Sequence, residues 1–267
     1  MKVSLIQMNS QEDKAANLNQ AKQLVDDAVR KDHPDLVLFP EMFASLGGNS
    51  EAKQAAAEEL PGGAAYMMLR ELAKVHGIYV HGGSLIEKAG SSLFNTTIVF
   101  DPNGQEIARY RKIHMFDITT PDGKEYRESA TYTRGDEIVT YEANGTRVGC
   151  TICYDVRFPE LYQALAKEGV SIITVPAAFT LLTGKDHWEV LLRARAIETE
   201  TYVLAAAQCG THSNGARATY GHSIVVDPWG HVIARAQDAV GFVTARLDLD
   251  YLKVVRERIP VAQHKVL

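Results

Sequence analysis

The sequence predicts an α/β protein in which helices pack outside mixed β-sheets. Predicted strands and helices alternate early in the chain, and runs of consecutive strands occur in each half, a pattern that mixed sheets covered by helices satisfy. The chain has 267 residues, of which 46% are hydrophobic, enough to bury a large core. No repeat, low-complexity tract or linker divides it, so we expect a single domain over residues 1–267.

Apolar periodicity assigns the elements of the first half. Apolar runs predict strands over residues 2–8, 35–39, 79–86, 95–100 and 107–111. Helical spacing predicts helices over residues 17–30 and 62–76, and Gly77 is the stop signal of the second. Residues 51–60 are expected to be helical or partly ordered. The tetrapeptide Asp101-Pro-Asn-Gly predicts the hairpin turn between the last two strands.

The second half opens with a long polar stretch, residues 114–136, which is more often a binding loop than a linker inside a compact domain. An apolar strand then ends at Cys153, and a helix follows in which Pro159 suits the first turn. The remaining predicted elements are a strand at 170–178, a helix at 188–199, and strands at 202–208, 222–227 and 242–247.

Composition and charge exclude several classes of function. The net charge is −5 and no Lys/Arg-rich run is present, so we expect no nucleic-acid partner. The N-terminal apolar stretch is too short for a signal peptide, and no run approaches the ~18 apolar residues of a membrane helix. Three cysteines do not form a disulfide framework. We therefore expect a cytoplasmic protein with no membrane association.

Three chemically capable side chains each follow a predicted strand. Glu41 closes DLVLFPE, Lys112 closes IARYRK and Cys153 closes VGCTIC. Parallel neighbours in one sheet would bring all three to the same edge, where chemistry collects in α/β proteins. A thiolate, a carboxylate and an ammonium together support acyl transfer, because they supply a nucleophile, a proton acceptor and an oxyanion stabiliser. Lys112 is also expected to lower the pKa of Cys153.

Each of these residues has an ordinary structural interpretation. A glutamate after proline is usually a solvated loop carboxylate, a lone lysine at a strand end is usually exposed, and a cysteine in an apolar strand is usually a small buried hydrophobe. Their shared position favours the functional interpretation.

Cys150 and Cys153 form a C-x-x-C motif, which can indicate redox or metal chemistry. In a strand, residues three apart point to opposite faces, and no second Cys/His pair stands at ligand spacing. We therefore expect no metal site, and acyl transfer by the three candidate groups needs no organic cofactor. Cys209 follows an apolar strand and is expected to be structural.

The motifs LFPE, YRKIHMFD and CYDVRFPELY surround the three candidate residues. With them, nearly the whole chain resembles the nitrilase, or carbon-nitrogen hydrolase, superfamily. The resemblance implies a four-layer αββα sandwich with Glu41, Lys112 and Cys153 as a catalytic triad. It also implies a second glutamate, Glu128, in the loop after the lysine, and an oxyanion hole that the backbone N–H of Tyr154 completes.

Within the superfamily, AAFTLLTGKDHWEVLLRARAIETETYVLAAAQCG and YGHSIVVDPWG resemble the deaminated glutathione amidases of the Nit branch. The resemblance implies an amidase that cleaves a small carboxylated amide through a thioester. It also implies a homodimer or larger homo-oligomer, in which the helix at 188–199 could be buried. Alternatives are an ω-amidase acting on α-ketoglutaramate, a nitrilase, and a catalytically silent binding or scaffold protein of the same fold.

A substrate with carboxylates needs fixed cations in its pocket, and arginine pairs bidentately with carboxylates. The candidate cations are Arg157, Arg127, Arg217 and Lys124. Phe179 and Thr180 follow a strand end and are expected to line the same pocket. A structural ion pair for Arg157 and ordinary core packing for Phe179 are the alternatives.

Overall fold

Two β-sheets stack face to face, and helices cover both outer faces. The computed structural model describes residues 1–120 and 122–266. One apolar core lies between the sheets and continues under the helices of the second half, and another lies between the first sheet and the helices of the first half. The predicted four-layer αββα sandwich is confirmed.

The first sheet combines strands from the start and the end of the chain. Its order is β17-β1-β2-β3-β5-β4, with β6 also paired to β5. The parallel pairs β1–β2 and β2–β3 form its centre. The strands are β1 (Lys2–Gln7), β2 (Leu36–Leu38), β3 (Tyr79–His81), β4 (Leu85–Ala89), β5 (Ser92–Phe100), β6 (Glu106–Arg111) and β17 (Gly241–Arg246).

The second sheet comes from the second half of the chain. Its order is β16-β15-β12-β11-β10-β9, and β10, β11 and β12 run parallel. The strands are β9 (Thr140–Ala143), β10 (Thr146–Cys150), β11 (Ile172–Thr174), β12 (Tyr202–Ala205), β15 (Ile224–Val226) and β16 (Val232–Arg235).

Two hairpins stand apart from the sheets: β7 (Asp117–Thr119) with β8 (Glu125–Arg127), and β13 (Cys209–His212) with β14 (Arg217–Tyr220). The helices are α1 (Lys14–Asp32), α2 (Ser50–Ala56), α3 (Ala64–His76), α4 (Pro159–Lys167), α5 (Leu181–Thr199), α6 (Leu249–Arg258) and α7 (Val261–His264). None of the helices within the described ranges is both long and apolar enough to cross a membrane.

Strand β2 illustrates how the sequence produces the layers. Its three residues are fully buried. Leu36 and Leu38 belong to the core between the sheets, whereas Val37 belongs to the core under α1 and α3. Successive side chains of a strand point to opposite faces, so a short, wholly apolar strand serves a sheet that is covered on both sides.

Several predicted boundaries were wrong for identifiable reasons. The strand predicted at 79–86 is two strands, because Gly83 has φ of +56° and its backbone packs so closely on Pro40 that no Cβ would fit. The helix predicted from residue 188 begins at Leu181, and Gly184 inside it lies against the Tyr220 side chain. The stretch 114–136 contains the β7–β8 hairpin and a short 3₁₀ turn, Glu128–Ala130.

Candidate active site

Glu41, Lys112 and Cys153 meet in a buried cluster between the two sheets. The Lys112 ammonium donates to Glu41 Oε1 at 2.9 Å and to Glu128 Oε2 at 2.8 Å. Glu41 and Cys153 lie close enough that each shifts the pKa of the other. Glu41, Lys112 and Cys153 are 4%, 1% and 6% exposed, so bulk water does not screen this cluster.

The sequence suggested that the three residues follow parallel, neighbouring strands of one sheet. The structure shows that they do not. Glu41 follows β2 and Lys112 follows β6, two strands of the first sheet that are separated by β3 and β5. Cys153 follows β10 of the second sheet. The cluster therefore forms where the strand ends of two stacked sheets face each other, and that stacking cannot be inferred from strand ends alone.

Cys153 lies in a sharp turn and not at the end of a strand. Strand β10 stops at Cys150, and a 3₁₀ turn spans Cys153–Arg157. Cys153 has φ of +48°, a conformation that is costly for a residue with a Cβ and that often marks functional sites. Its N–H donates to the Pro176 carbonyl at 2.8 Å. The alternation argument for Cys153 was therefore wrong, although Cys150 does point into the core.

Asp155, two residues after the cysteine, is a structural centre of the site that the sequence did not reveal. Its carboxylate accepts from the Tyr110 hydroxyl at 2.7 Å and from the Ile152 N–H at 2.8 Å. It also accepts from the His114 N–H at 3.1 Å and lies 2.7 Å from His114 Nδ1. Asp155 is fully buried, and it ties the cysteine turn to both sides of Lys112.

Glu128 and Asn95 complete the polar cluster. Glu128 Oε2 accepts from the Phe116 N–H at 2.7 Å, which fixes the carboxylate beside Lys112. Asn95 donates to Glu41 Oε1 at 2.9 Å and to Glu128 Oε1 at 3.1 Å. Asn95 was missed by sequence reasoning. The available signal was an amide side chain in the middle of a mostly buried strand, since buried polar groups need partners.

The charges in the cluster are arranged for proton transfer. Burial by itself would raise the pKa of Glu41, but the charge and hydrogen bond of Lys112 lower it below its ordinary value. Burial would lower the pKa of Lys112, but Glu128 and Glu41 raise it well above its ordinary value. Glu41 is therefore a carboxylate at neutral pH, and Lys112 is an ammonium.

The thiol behaves differently from the expectation that Lys112 would lower its pKa. Burial raises the pKa of Cys153 well above 9.0, and the Glu41 carboxylate raises it further. Lys112 acts in the opposite direction but is outweighed. The resting cysteine is therefore a thiol with a carboxylate beside it, an arrangement in which the base removes the proton as the sulfur attacks.

The cluster forms the floor of a cavity of about 820 Å³. Among the residues proposed to bind substrate, Phe179, Thr180 and Arg127 line this cavity, and Arg157 does not. The Phe179 ring also packs 5.1 Å from that of Trp188, so this residue both lines the cavity and belongs to the core, and its contact with substrate stays a prediction. The cavity wall also contains three cations: Lys53, Lys124 and Arg217.

Arg157 packs behind the cavity wall. Its guanidinium lies 5.1 Å from the centre of the Phe179 ring and 3.3 Å from His187 Nδ1. Within residues 1–120 and 122–266 it has no carboxylate within 4.0 Å. The structural ion pair considered for Arg157 is therefore not found among the described residues, and its contact with substrate stays a prediction.

Tyr154 is the second residue of the 3₁₀ turn. Backbone N–H groups in a first helical turn have no acceptor within that turn. The Tyr154 N–H is such a donor, on the residue that directly follows Cys153. No group of three His, Cys, Asp or Glu side chains suited to a metal ion is found in the part of the chain that the structure describes.

Comparison with known proteins identifies the class. Residues 2–257 match the carbon-nitrogen hydrolase family. A deaminated glutathione amidase from Synechocystis is 43% identical over 266 residues, covering 98% of this chain and 96% of the relative. The ω-amidase NIT2 of Xenopus tropicalis is 39% identical over 264 residues, covering 99% and 94%.

Solved structures agree with this assignment. Nit3 of Saccharomyces cerevisiae superposes with a TM-score of 0.90 at 30% identity, covering 100% of this chain and 97% of its own. The NitFhit protein of C. elegans gives 0.90 at 38% identity, and this chain spans 65% of that longer protein. The chain therefore belongs to the carbon-nitrogen hydrolase family. Within that family it is a cysteine amidase of the Nit branch.

Proposed function

We propose that the chain hydrolyses the C–N bond of a small carboxylated amide through a thioester on Cys153. The observation that carries this proposal is the buried contact of Lys112 with both Glu41 and Glu128 beside the Cys153 thiol. Such a cluster supplies a nucleophile, a base and an oxyanion stabiliser in one water-poor site.

Each proposed step assigns a proton. As the Cys153 sulfur attacks the amide carbon, Glu41 takes the thiol proton, and Lys112 with the Tyr154 N–H stabilises the oxyanion. Glu41 then protonates the leaving nitrogen, the C–N bond breaks, and an acyl thioester remains. Water, deprotonated by Glu41, attacks the thioester carbon, the C–S bond breaks to release the carboxylic acid, and Glu41 returns the proton to the sulfur. Glu128 keeps Lys112 charged and in position throughout.

Deaminated glutathione is the substrate we propose first. The cavity of about 820 Å³ is within the size range of sites for small organic ligands, and its wall carries cations for the substrate carboxylates. The relative named deaminated glutathione amidase is 43% identical to this chain.

ω-Amidase activity on α-ketoglutaramate is the second candidate, favoured by the 39% identity to the ω-amidase NIT2. The smaller amide leaves ammonia instead of cysteinylglycine. An enzyme whose cavity is shaped for the larger leaving group should lose strongly in kcat/KM on the smaller amide. A catalytically silent binding role is less well supported, because the cluster retains every group that amide hydrolysis needs. Nitrile hydrolysis is a third candidate, ranked lower because the relatives reported above are named amidases.

The experiment is to measure kcat/KM for both amides, and to search for an acyl group on Cys153 by mass spectrometry after acid quenching. Cys153→Ala should abolish turnover and the mass shift, and Cys209→Ala, a buried cysteine outside the cavity, should keep both. Full turnover by Cys153→Ala at saturating substrate would contradict the scheme.

We further propose that residues 1–267 act as one domain, since the cluster draws on both sheets. We place the enzyme in the cytoplasm as a homodimer or larger homo-oligomer. The association is supported by apolar side chains exposed on α5, with Val190 and Ile197 67% and 49% exposed.

A further inference from the structure

Asn95 is a buried amide whose backbone is held by strands on both sides. It lies in β5 opposite Ile86 of β4, and its carbonyl accepts from the Lys112 N–H at 2.9 Å. Asn95 is 1% exposed and reaches the catalytic cluster, whereas the next residue, Thr96, donates to Glu87 Oε2 at 2.7 Å. The amide is therefore presented to the cluster from a fixed position.

The amide group of Asn95 uses both of its N–H donors on carboxylates. Nδ2 donates to Glu41 Oε1 at 2.9 Å and to Glu128 Oε1 at 3.1 Å. The opposite orientation would point the carbonyl oxygen at two acceptors. Oδ1 is buried and has no partner among the described residues, and an unpaired buried acceptor costs stability. The placement of this amide therefore serves the two carboxylates more than it serves the strand.

Lys112 bridges the same two carboxylate oxygens. Its ammonium donates to Glu41 Oε1 at 2.9 Å and to Glu128 Oε1 at 3.1 Å. One cation thus faces two carboxylates, which leaves one negative charge in excess. Two buried carboxylates that share donors in this way tend to share a proton as well, which raises the pKa of one of them. Asn95 stabilises the second charge with neutral donors and adds no charge of its own.

The other oxygen of Glu41 faces the thiol. Oε2 accepts from the Ala178 N–H at 2.9 Å. The same N–H also acts as a donor towards the Cys153 sulfur, and the thiol is hydrogen-bonded to the Glu41 carboxylate. Because Lys112 and Asn95 occupy Oε1, Oε2 is the oxygen beside the sulfur that remains available for a proton.

We propose that Asn95 is a positioning residue: its amide keeps Oε1 of Glu41 and Oε1 of Glu128 as two separate, unprotonated acceptors, so that Oε2 of Glu41 receives the thiol proton. This inference rests on the proposed function. When Cys153 attacks, the S–H bond breaks, the proton goes to Oε2, and the sulfur electron pair forms the new S–C bond. Without Asn95 the two Oε1 atoms compete for a proton of their own, and a Glu41 that already carries that proton is no base.

Removal of the amide should raise the pH at which the base is lost. Burial raises the pKa of Glu41, and Lys112 outweighs burial. A carboxylate that loses a hydrogen-bond donor has a higher pKa, while the charges around it stay in place. The titratable and charged side chains that act on Glu41 or Glu128 from the other elements are Lys53, Lys112, Tyr132, Cys153 and Arg217.

The test follows alkylation of Cys153 by iodoacetamide between about pH 4.5 and pH 8. The sulfur displaces iodide from carbon and Glu41 takes the thiol proton, so this reaction needs the base but no amide substrate. In the wild type the rate should stay constant across the range, because the pKa of Glu41 lies below 4.5. In Asn95→Leu the pH of half-maximal rate should rise by about 1 to 2 pH units, the effect of one hydrogen bond to a charged group. Mass spectrometry of the Cys153 peptide measures the rate.

Two further variants accompany Asn95→Leu. Asn95→Asp keeps the shape of the side chain but replaces the two donors with a third carboxylate, and it should raise the half-maximal pH at least as far. The matched control is Thr96→Val, which also removes a donor from a buried carboxylate, that of Glu87, outside the cavity. Thr96→Val should keep the wild-type profile. The acid side of the kcat/KM profile should move in the same order when an amide is the substrate.

An unchanged half-maximal pH in both Asn95 variants would overturn the inference. So would equal slowing at every pH together with a lower midpoint of thermal unfolding, which would mark a purely structural role. The test is separable from the proposed reaction. If the wild type hydrolyses no amide but the alkylation profile depends on Asn95, the reaction fails and the positioning role stands. If hydrolysis occurs and the Asn95 variants keep the wild-type profile, the positioning role fails and the reaction stands.

Discussion

At the scale of single residues, the carboxylate of Asp155 connects the nucleophile to the lysine. Its four contacts reach Tyr110 and His114 on either side of Lys112 and Ile152 just before Cys153. A buried carboxylate with four such contacts holds the surrounding segments in fixed positions. Removing some of these contacts would leave buried polar groups unpaired, which is costly.

Replacing Asp155 should therefore lower catalytic activity more strongly than it lowers the stability of the fold. We expect Asp155→Asn to lower kcat at least tenfold and the free energy of unfolding by ~1–3 kcal/mol, because one acceptor becomes a donor facing donors. Tyr110→Phe, which removes only one of the contacts, should show a smaller loss of both. Steady-state kinetics and urea unfolding measure the two effects, and an unaffected kcat in Asp155→Asn would contradict this role.

The pH dependence of activity follows from the directions of two pKa shifts. Lys112 keeps the pKa of Glu41 below 4.5, so the base stays ionised as the pH falls to that value. Burial keeps the pKa of Cys153 well above 9.0, so the thiol stays protonated up to that value. We expect kcat/KM to be flat between these limits.

Removal of the base should change the shape of that profile. In Glu41→Gln the sulfur can react only after it ionises by itself, so the residual kcat/KM should rise with pH throughout the range and be lowest at its acidic end. A pH series of kcat/KM on the variant and the wild type measures this. A flat residual profile in Glu41→Gln would show that another group takes the thiol proton.

At the scale of elements, β3 and β11 are joined across the sandwich by one neutral histidine. His81 on β3 is fully buried, and its Nε2 lies 2.9 Å from Thr174 Oγ1 on β11. Burial lowers the pKa of His81 from 6.5 to about 3. The folded protein therefore takes up no proton at this ring between those two values, whereas the unfolded chain does.

This difference should make the sandwich less stable in acid. As the pH falls from 6.5 towards 3, stability from this residue declines by about 1.4 kcal/mol per pH unit, or about 2 kcal/mol by pH 5. His81→Gln should remove this part of the decline, and His264→Gln, at an exposed position, should not. Urea unfolding at pH 7 and pH 5 measures it, and equal declines in wild type and His81→Gln would contradict the prediction.

The elements also show how far sequence reasoning reached. The strand ends that precede Glu41 and Lys112, the apolar run that stops before Cys153, and the helix that begins at Pro159 follow from apolar runs and breakers that act locally. The positive φ of Cys153, the β13–β14 hairpin that carries Arg217, and the partners of Asp155 depend on contacts between distant segments. The predicted lengths of β2 and β11 were too long, because in each case the apolar run continues past the strand into a buried loop. Local patterns therefore located the reacting groups, and tertiary contacts determined their surroundings.

At the scale of the whole molecule, α5 presents apolar side chains outward. Val190 and Ile197 lie two turns apart on one face, and Ile197 packs against the turn at Gly230, next to Trp229, which is 43% exposed. Exposed apolar side chains grouped on one face in this way typically mark a protein contact.

We expect the Val190→Glu, Ile197→Glu double variant to sediment as a smaller species than the wild type, because two charges would have to be buried at the contact. The control is Val75→Glu, an equally exposed valine at 66% on α3, which should leave the sedimentation coefficient unchanged. Identical sedimentation of the double variant and the wild type would place the contact elsewhere.

The thiol and its two ionised neighbours come from different sheets, so the reaction centre depends on how the sheets pack together. The first sheet supplies the proton acceptor and the ammonium, and the second supplies the sulfur, so a segment restricted to either half of the polypeptide holds an incomplete reaction centre. Turnover should therefore vanish as soon as the two layers slip or part, even while circular dichroism still reports intact helices and strands. Catalytic activity in this enzyme therefore reports whether the two sheets keep their native packing against each other.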